Sequence, residues 1–555
     1  MCRSARVILL IAAMVAAGSD LWAEQFAYMV RFTDKNNTTY SLSSPLSYLS
    51  SRALLRRTTQ GIAIDSTDLP VNTTYIDTVL SLTDGKLHGT SKWLNMCVIL
   101  LRDSAMIHNI EGKPYVSSIR QVGYYADSLR RPVPDDGVPA TGAQGYKKTW
   151  TGSDYLNTWV QTGLVHGDVL HNAGYTGNGK LIAVMDAGFL DVDTHPGFAA
   201  MVSGGRVVDK HNFKLGTDEV YAYDTHGTRA LSTMAGYEPG TYIGSAPMAS
   251  YALYVTEDNF SEQRIELANM LMASERADSI GVDVISSSLG YNLFDDAADN
   301  FVFAADFDGN TTIAAQAANM ATRKGILFVT SAGNEGGGGW NMILTPGDAD
   351  SALTIGSVDY SGVSAANSGF GPNAAGRVKP DVCGMGQSAA VFVGSGYGNQ
   401  NGTSFSTPQI AGWAACLWQA YPTATPYQLR DAIIRCASRY TAPTAQQGYG
   451  IPDLGCSKQA MSVKDVKPFA PGVWVSAAPN PVGNELRIVV APDEDGPVSF
   501  AVIDVTGRMI LTAERTFSRG YNDAFILPMN SLPAGIYLLR AETATQRQAI
   551  KVVKE

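Results

Sequence analysis

Three short runs of this chain are close to continuously apolar: Lys180-Leu181-Ile182-Ala183-Val184-Met185, Val282-Asp283-Val284-Ile285-Ser286-Ser287 and Gly325-Ile326-Leu327-Phe328-Val329-Thr330. A strand with one wet face alternates polar and apolar residues, whereas a strand buried on both faces reads as an unbroken run. Helical spacing fills the intervals, over Arg264 to Asp278 and Ile313 to Lys324. Strands of this kind alternating with helices predict an α/β domain: a parallel sheet with helices on both faces. The block extends from about Tyr146 to Cys456, and we place the domain at residues 149–460.

The flanks differ in kind, as a chain of 555 residues leads one to expect of several domains. Residues 24–128 read as a small α+β unit. Ala27 to Phe32 alternates like a strand, Pro45 to Arg57 has helical spacing, Trp93 to Leu101 is a second strand and Ser104 to Ile110 a short helix; Tyr115 begins a further strand. That order suggests a ferredoxin-like arrangement. Residues 129–148 are rich in Pro, Gly and Asp and read as an exposed linker. Residues 469–555 carry short strands at Leu486 to Ala491, Val498 to Asp504, Met509 to Thr512 and Ile536 to Arg540, separated by turns such as Thr506-Gly507; this predicts a small all-β sandwich. Residues 1–23 place Arg3 and Arg6 before an apolar stretch from Val7 to Ala17, the pattern of a signal peptide and too short to span a bilayer. No later segment is predicted to cross a membrane.

The net charge of −10 comes with no basic stripe, so no nucleic-acid partner is expected. Beyond Cys2 there remain Cys97, Cys383, Cys416, Cys436 and Cys456, an odd number that argues against a disulfide framework. Cys436 with Cys456 is a candidate bridge in an exported protein, with free buried thiols the alternative.

Four polar residues, far apart in the chain, sit at element ends suited to one chemistry. A serine hydroxyl that attacks an amide needs a base, an acidic group to orient that base, and donors for the oxyanion. Asp186 closes the first apolar strand, where a carboxylate faces the crevice of an open sheet. His226 opens a helix-compatible run of small residues, Ala230, Ser232, Ala235 and Gly236. Asn334 lies in Ser331-Ala332-Gly333-Asn334, directly after a buried strand, and its neutral amide can donate to an oxyanion. Ser404, in Asn401-Gly402-Thr403-Ser404, stands at the mouth of a long apolar helix, among free N–H groups and the positive dipole end. Each alone has an ordinary reading: a strand-end aspartate, a structural histidine, a turn asparagine, a helix cap. His195, in Asp193-Thr194-His195-Pro196, looks similar, but Pro196 restricts it to extended backbone and we read it as structural.

Together, Val184-Met185-Asp186-Ala187-Gly188, Asp224-Thr225-His226-Gly227-Thr228, Ser331-Ala332-Gly333-Asn334 and Asn401-Gly402-Thr403-Ser404 resemble the subtilisin-type serine endopeptidases over roughly residues 150 to 456. The resemblance implies Ser404 as nucleophile, His226 as general base and acid, and Asp186 as the partner that orients the histidine. It also implies Asn334 as an oxyanion donor, and Ser288-Leu289-Gly290 as the segment that pairs with extended substrate. Gly244-Ser245-Ala246-Pro247 matches a structural landmark of that family. Two positions depart from it: Ala187 stands where Ser or Thr is usual, and Phe405-Ser406 where Met-Ala is common. The chemistry requires no cofactor; structural calcium is compatible with the resemblance, but no complete calcium loop is recognisable.

Residues 24–128 resemble the inhibitory propeptides of such enzymes. That implies a zymogen with its own propeptide as inhibitor, protein or peptide substrates, and processing between about Leu129 and Lys148. The tail carries Ala478-Pro479-Asn480-Pro481-Val482, Asp504-Val505-Thr506-Gly507-Arg508 and Leu532-Pro533-Ala534-Gly535-Ile536-Tyr537. It resembles the type IX secretion sorting domain of Bacteroidetes-type bacteria, which implies a secretion-machinery partner and an extracellular or outer-membrane-surface product. Two other readings are a catalytically silent scaffold for adhesion and, for the sandwich, a carbohydrate-binding module.

Overall fold

The computed structural model describes residues 25–125, 150–462, 474–490, 496–517 and 523–555. The expected signal peptide and linker lie outside these residues. The centre of the large domain is a seven-stranded, wholly parallel sheet. Its strands run in the spatial order Val382–Met385, Leu353–Val358, Leu327–Ser331, Val284–Ser287, Leu181–Asp186, Ser250–Val255 and Val207–Asn212. The three apolar runs are central strands, and all six residues of Leu181–Asp186 are buried. The four remaining strands were not anticipated; Val207–Asn212 is an edge strand of sequence Val-Val-Asp-Lys-His-Asn, largely half-exposed and without an apolar run to betray it.

Two layers of helix cover this sheet. Leu181, Ala183 and Met185 share an apolar cluster with helices Ile265–Ile280 and Ile313–Arg323. Successive strand residues point to opposite faces, so Ile182, Val184 and Asp186 face the other layer. There lie helices His226–Ala235 and Thr403–Ala420. From Leu181–Asp186 the chain adds two strands on one side before crossing to the other. The C-terminal end of Leu181–Asp186 therefore opens at a topological switch point, where a crevice forms in sheets of this kind.

The N-terminal domain is a four-stranded antiparallel sheet in the order Lys86–Ser91, Met96–Leu101, Gln25–Phe32, Val116–Tyr125. This is the ferredoxin-like order. The sequence reading had one long helix near Pro45; the chain instead makes a short turn at Pro45–Ser47 and a helix at Ser51–Gln60, begun by Ser50, whose hydroxyl accepts the Ala53 N–H. A second helix, Thr73–Thr83, was missed because four of its eleven residues are threonine, a weak helix former.

One face of this small sheet is the floor of the large domain's core: Ala27, Met29, Met96, Val98 and Val122 join the cluster around helices Ile265–Ile280 and Ile313–Arg323. Beside that apolar contact lies a buried ionic one. Asp278 is fully buried and accepts from Arg57 at 2.8 and 2.9 Å, from Arg56, and from Lys92 at 3.4 Å. Burial would raise its pKa, yet Arg56, Lys92 and Arg57 bring it down to about 2. Lys324 answers in the reverse sense, reaching Asp68 at 3.0 Å and Asp65 at 3.1 Å. Glu275 accepts the Ser91 hydroxyl at 2.5 Å and the Lys92 and Trp93 N–H groups at 2.7 and 3.1 Å.

The C-terminal unit is a sandwich. Val475–Ala478, Glu485–Val490 and Asp523–Pro528 form one sheet, and Met509–Phe517, Gly496–Asp504, Gly535–Glu542 and Arg547–Lys554 the other. Leu486, Ile488, Phe500, Val502 and Leu539 share its core. Cys97, Cys383 and Cys416 are free and buried, whereas Cys436 and Cys456 are disulfide-bonded.

Removing one partner of a buried ion pair costs about 3–5 kcal/mol because the other charge is stranded. With the linker cut, Asp278→Asn is therefore expected to weaken binding of the N-terminal domain to the large domain on the order of 100-fold or more. Calorimetric titration of the separated N-terminal domain into the variant checks this.

Candidate active site

Asp186 is wholly buried at the end of its strand. Its Oδ1 accepts the Ala187 N–H at 2.8 Å and faces His226 Nδ1 at 2.7 Å. A carboxylate there makes Nδ1 the protonated nitrogen and leaves Nε2 free as a base. The contact depends on Gly227: a Cβ there would lie 2.9 Å from Asp186 Cβ and collide with the Gly188 carbonyl oxygen. Burial acts against the charged imidazole, but the Asp186 charge and hydrogen bond, and then Asp224, outweigh it, so the His226 pKa stands above the ordinary 6.5. Asp186 Oδ2 has no hydrogen-bond partner among the described residues. Ala187, the departure noted in the sequence, offers no hydroxyl to it.

Ser404 is the second residue of helix Thr403–Ala420. Gly402 precedes the helix at φ 144°, a conformation that favours glycine. Pro408 has no N–H to give the Ser404 carbonyl, four residues back. The Ser288 hydroxyl donates to that carbonyl instead, at 2.9 Å, and the Ser404 hydroxyl donates to the Ser288 carbonyl at 3.3 Å. The two serines thus clasp each other across the cleft, and no hydrogen bond joins Ser404 Oγ to His226 in this structure. The rings of Phe405 and His226 stand 5.8 Å apart, which brings the start of the serine helix beside the imidazole.

Asn334 accepts through Oδ1 from the Thr403 N–H at 2.9 Å, the Thr403 hydroxyl at 3.2 Å and Asn367 Nδ2 at 3.4 Å. With its oxygen held this way, the amide NH2 is left for the cleft. His226, Asn334 and Ser288-Leu289-Gly290 all line one cavity of about 540 Å³. His195 does not join them. Its Nδ1 accepts the Gly197 N–H at 3.0 Å and its ring stacks on Phe392 at 4.2 Å, a structural role.

Three supporting residues escaped the sequence reading. Asp224 Oδ1 accepts the His226 N–H at 2.5 Å and its Oδ2 accepts from Asn259, tying the histidine helix to the loop across the cleft. Its place two residues before the helix was a usable cap signal. Thr403 and Asn367 orient Asn334; Asn367 lies in an irregular stretch with no periodicity to mark it. Among the described residues, the group of three side chains able to hold a metal is Glu257, Glu262 and Glu266, and no calcium loop is assigned.

The chain matches the Subtilase family over residues 177–450, the family described as Peptidase S8 propeptide domain, Bacteroidota, over 27–134, and that described as Secretion system C-terminal sorting domain over 476–555. It is 30% identical to subtilisin NAT of Bacillus subtilis subsp. natto over 295 residues, which cover 52% of this chain and 68% of that one. It is 29% identical to a thermostable alkaline protease of Halalkalibacterium halodurans over 291 residues, 52% of this chain and 70% of the other. Against subtilisin BL of Lederbergia lenta it is 28% identical over 276 residues, covering 49% and 89%.

The clasp between the serines has a direct consequence. Ser288→Ala leaves the buried Ser404 carbonyl without a donor, at a cost of about 1–3 kcal/mol. Thermal unfolding of the variant should show a lowered midpoint with the fold unchanged.

Proposed function

Because the chain belongs to the subtilase family, we propose that Asp186, His226 and Ser404 form its catalytic triad and that Asn334 is its oxyanion donor. The protein is a serine endopeptidase with a propeptide domain before it and a secretion sorting domain after it. The observation that carries the residue assignment is the 2.7 Å contact between buried Asp186 and His226 in the cleft where Asn334 and the Ser404 helix meet.

On this reading the Ser404 hydroxyl leaves the Ser288 carbonyl when substrate enters and turns toward His226 Nε2. The imidazole takes the proton as the oxygen attacks the scissile carbonyl. Asn334 Nδ2 and the Ser404 N–H hold the oxyanion, each placed in advance and so costing little reorganisation. His226 then protonates the leaving amine, and water releases the acyl group by the same steps. Asp186 orients the imidazole and stabilises the imidazolium that forms. No step requires a cofactor. Ser288-Leu289-Gly290 would pair with the extended substrate backbone.

Protein or peptide substrates, inhibition by the chain's own N-terminal domain, and export through the sorting machinery to the cell surface or medium complete the proposal. The sorting-domain match favours export over carbohydrate binding for the sandwich. A silent scaffold finds no support: every group the chemistry needs is retained.

Ser404→Ala is expected to abolish peptide hydrolysis, by roughly six orders of magnitude in kcat, the known cost of losing this nucleophile in the family. It should also leave the propeptide uncleaved, visible as a persistent full-length band. A normally processed, active variant would refute the assignment.

The base works neutral, so kcat/KM should rise with pH through a midpoint above 6.5. Asp186→Asn removes the charge that lifts this midpoint and leaves burial to dominate. The acid limb should move to lower pH while kcat falls by about 10⁴; a pH–rate profile measures both.

A further inference from the structure

One wall of the cleft is acidic, and among the described residues all but one of its carboxylates lack a counter-charge. Glu257, Asp258, Glu262 and Asp295 all line the cavity that holds His226. Asp258 is neutralised by Lys214 at 2.7 Å. Glu257, Glu262 and the buried Glu266 bring carboxylate oxygens within 4.8 Å of one another. Among the described residues, no Lys, Arg or His stands at ion-pair distance from these three or from Asp295. Glu266 is committed to the backbone, accepting the Asp258 and Gln263 N–H groups at 2.7 and 3.0 Å, and Glu257 accepts the Tyr291 hydroxyl. The Glu262 carboxylate has no hydrogen-bond partner among the described residues and is half-buried beside the opening. A carboxyl cluster in this condition gains most from an incoming cation.

An independent observation says which part of a peptide reaches that wall. Gln263 grips the backbone of Tyr124, the last strand of the N-terminal domain, accepting its N–H at 2.5 Å and donating to its carbonyl at 2.9 Å. Glu262 and Asp295 also line a second cavity, whose wall is completed by Gln121 to Tyr124 of that strand. These two carboxylates thus border both the cleft that holds His226 and the cavity walled by the end of the N-terminal domain. On the proposed reading the propeptide is cut in the linker after Tyr124, so the segment on this side is the one N-terminal to a cleaved bond.

We infer that the N-terminal side of the substrate cleft is a subsite for basic side chains, in which Glu262 and Asp295, backed by Glu257, receive a lysine or arginine of the substrate. The inference rests on the peptidase reading and names its substrate class: proteins and peptides with a basic residue upstream of the scissile bond. Asn259, between Glu257 and Glu262, is bonded to Asp224 of the histidine segment, which fixes this wall relative to the imidazole.

The test is kcat/KM of the mature enzyme on matched peptides that differ at one upstream position, carrying Lys or Arg, Met, or Glu. At one such position at least, the basic peptide should be favoured over the Met peptide by about tenfold, and the Glu peptide should be the slowest. Combining Glu262→Gln with Asp295→Asn should bring the basic-to-Met ratio close to one. Hydrolysis with no basic preference at any upstream position, or a full preference kept in the double variant, overturns the subsite and leaves the peptidase standing. Hydrolysis that is absent, or that survives Ser404→Ala, overturns the peptidase reading itself.

Discussion

A carboxylate cut off from water must find its hydrogen-bond partners inside the protein, and at Asp186 the available partners are one backbone N–H and one imidazole. The rest of the cleft follows from meeting that demand. The strand places the carboxylate at the switch point of the sheet, on the face opposite the Leu181, Ala183 and Met185 side chains. The His226 helix comes close enough only because residue 227 has no side chain. A second helix presents its N-terminus with Ser404 in its first turn, and the proline that frees the Ser404 carbonyl lets Ser288 hold the two walls together. The electrostatics of the site are therefore a product of packing: small residues and one missing N–H decide which polar groups meet.

The N-terminal domain uses the same physics for a reversible purpose. Its apolar sheet face completes the core over helices Ile265–Ile280 and Ile313–Arg323, and its arginines and Lys92 neutralise the buried Asp278. Such charges are inexpensive in solution and costly when one partner is missing, so the contact is selective for a matched set of charges. The same helix begins beside Glu262 and Gln263, so one element carries the propeptide contact and the upstream wall of the cleft. On the proposed reading, inhibitor docking and substrate recognition share this one helix.

Asp186, His226, Asn334 and Ser404 stood out as candidates because each terminates or opens an element with a strong local signal: an apolar strand, a run of small residues, a glycine turn, a long apolar helix. The missed elements lacked such signals. Strand Val207–Asn212 is a half-exposed edge, and helix Thr73–Thr83 is held by its place in the fold rather than by helix-forming residues. Asn367 and the acidic wall lie on irregular segments, where side-chain roles depend on which distant residue arrives opposite.

Residue order alone determined the α/β architecture, the flanking α+β and all-β units, and the candidates for the reacting groups, because periodicity, caps and turn residues act over a few neighbours. Tertiary structure alone decided that Ser404 shares its bonds with Ser288, that Thr403 aims Asn334, and that Asp278 is the counter-charge for Arg56, Arg57 and Lys92. Those contacts join residues 69 to 222 positions apart. Separations of that size are bridged by sheet order and layer packing, and no local pattern in a chain encodes them.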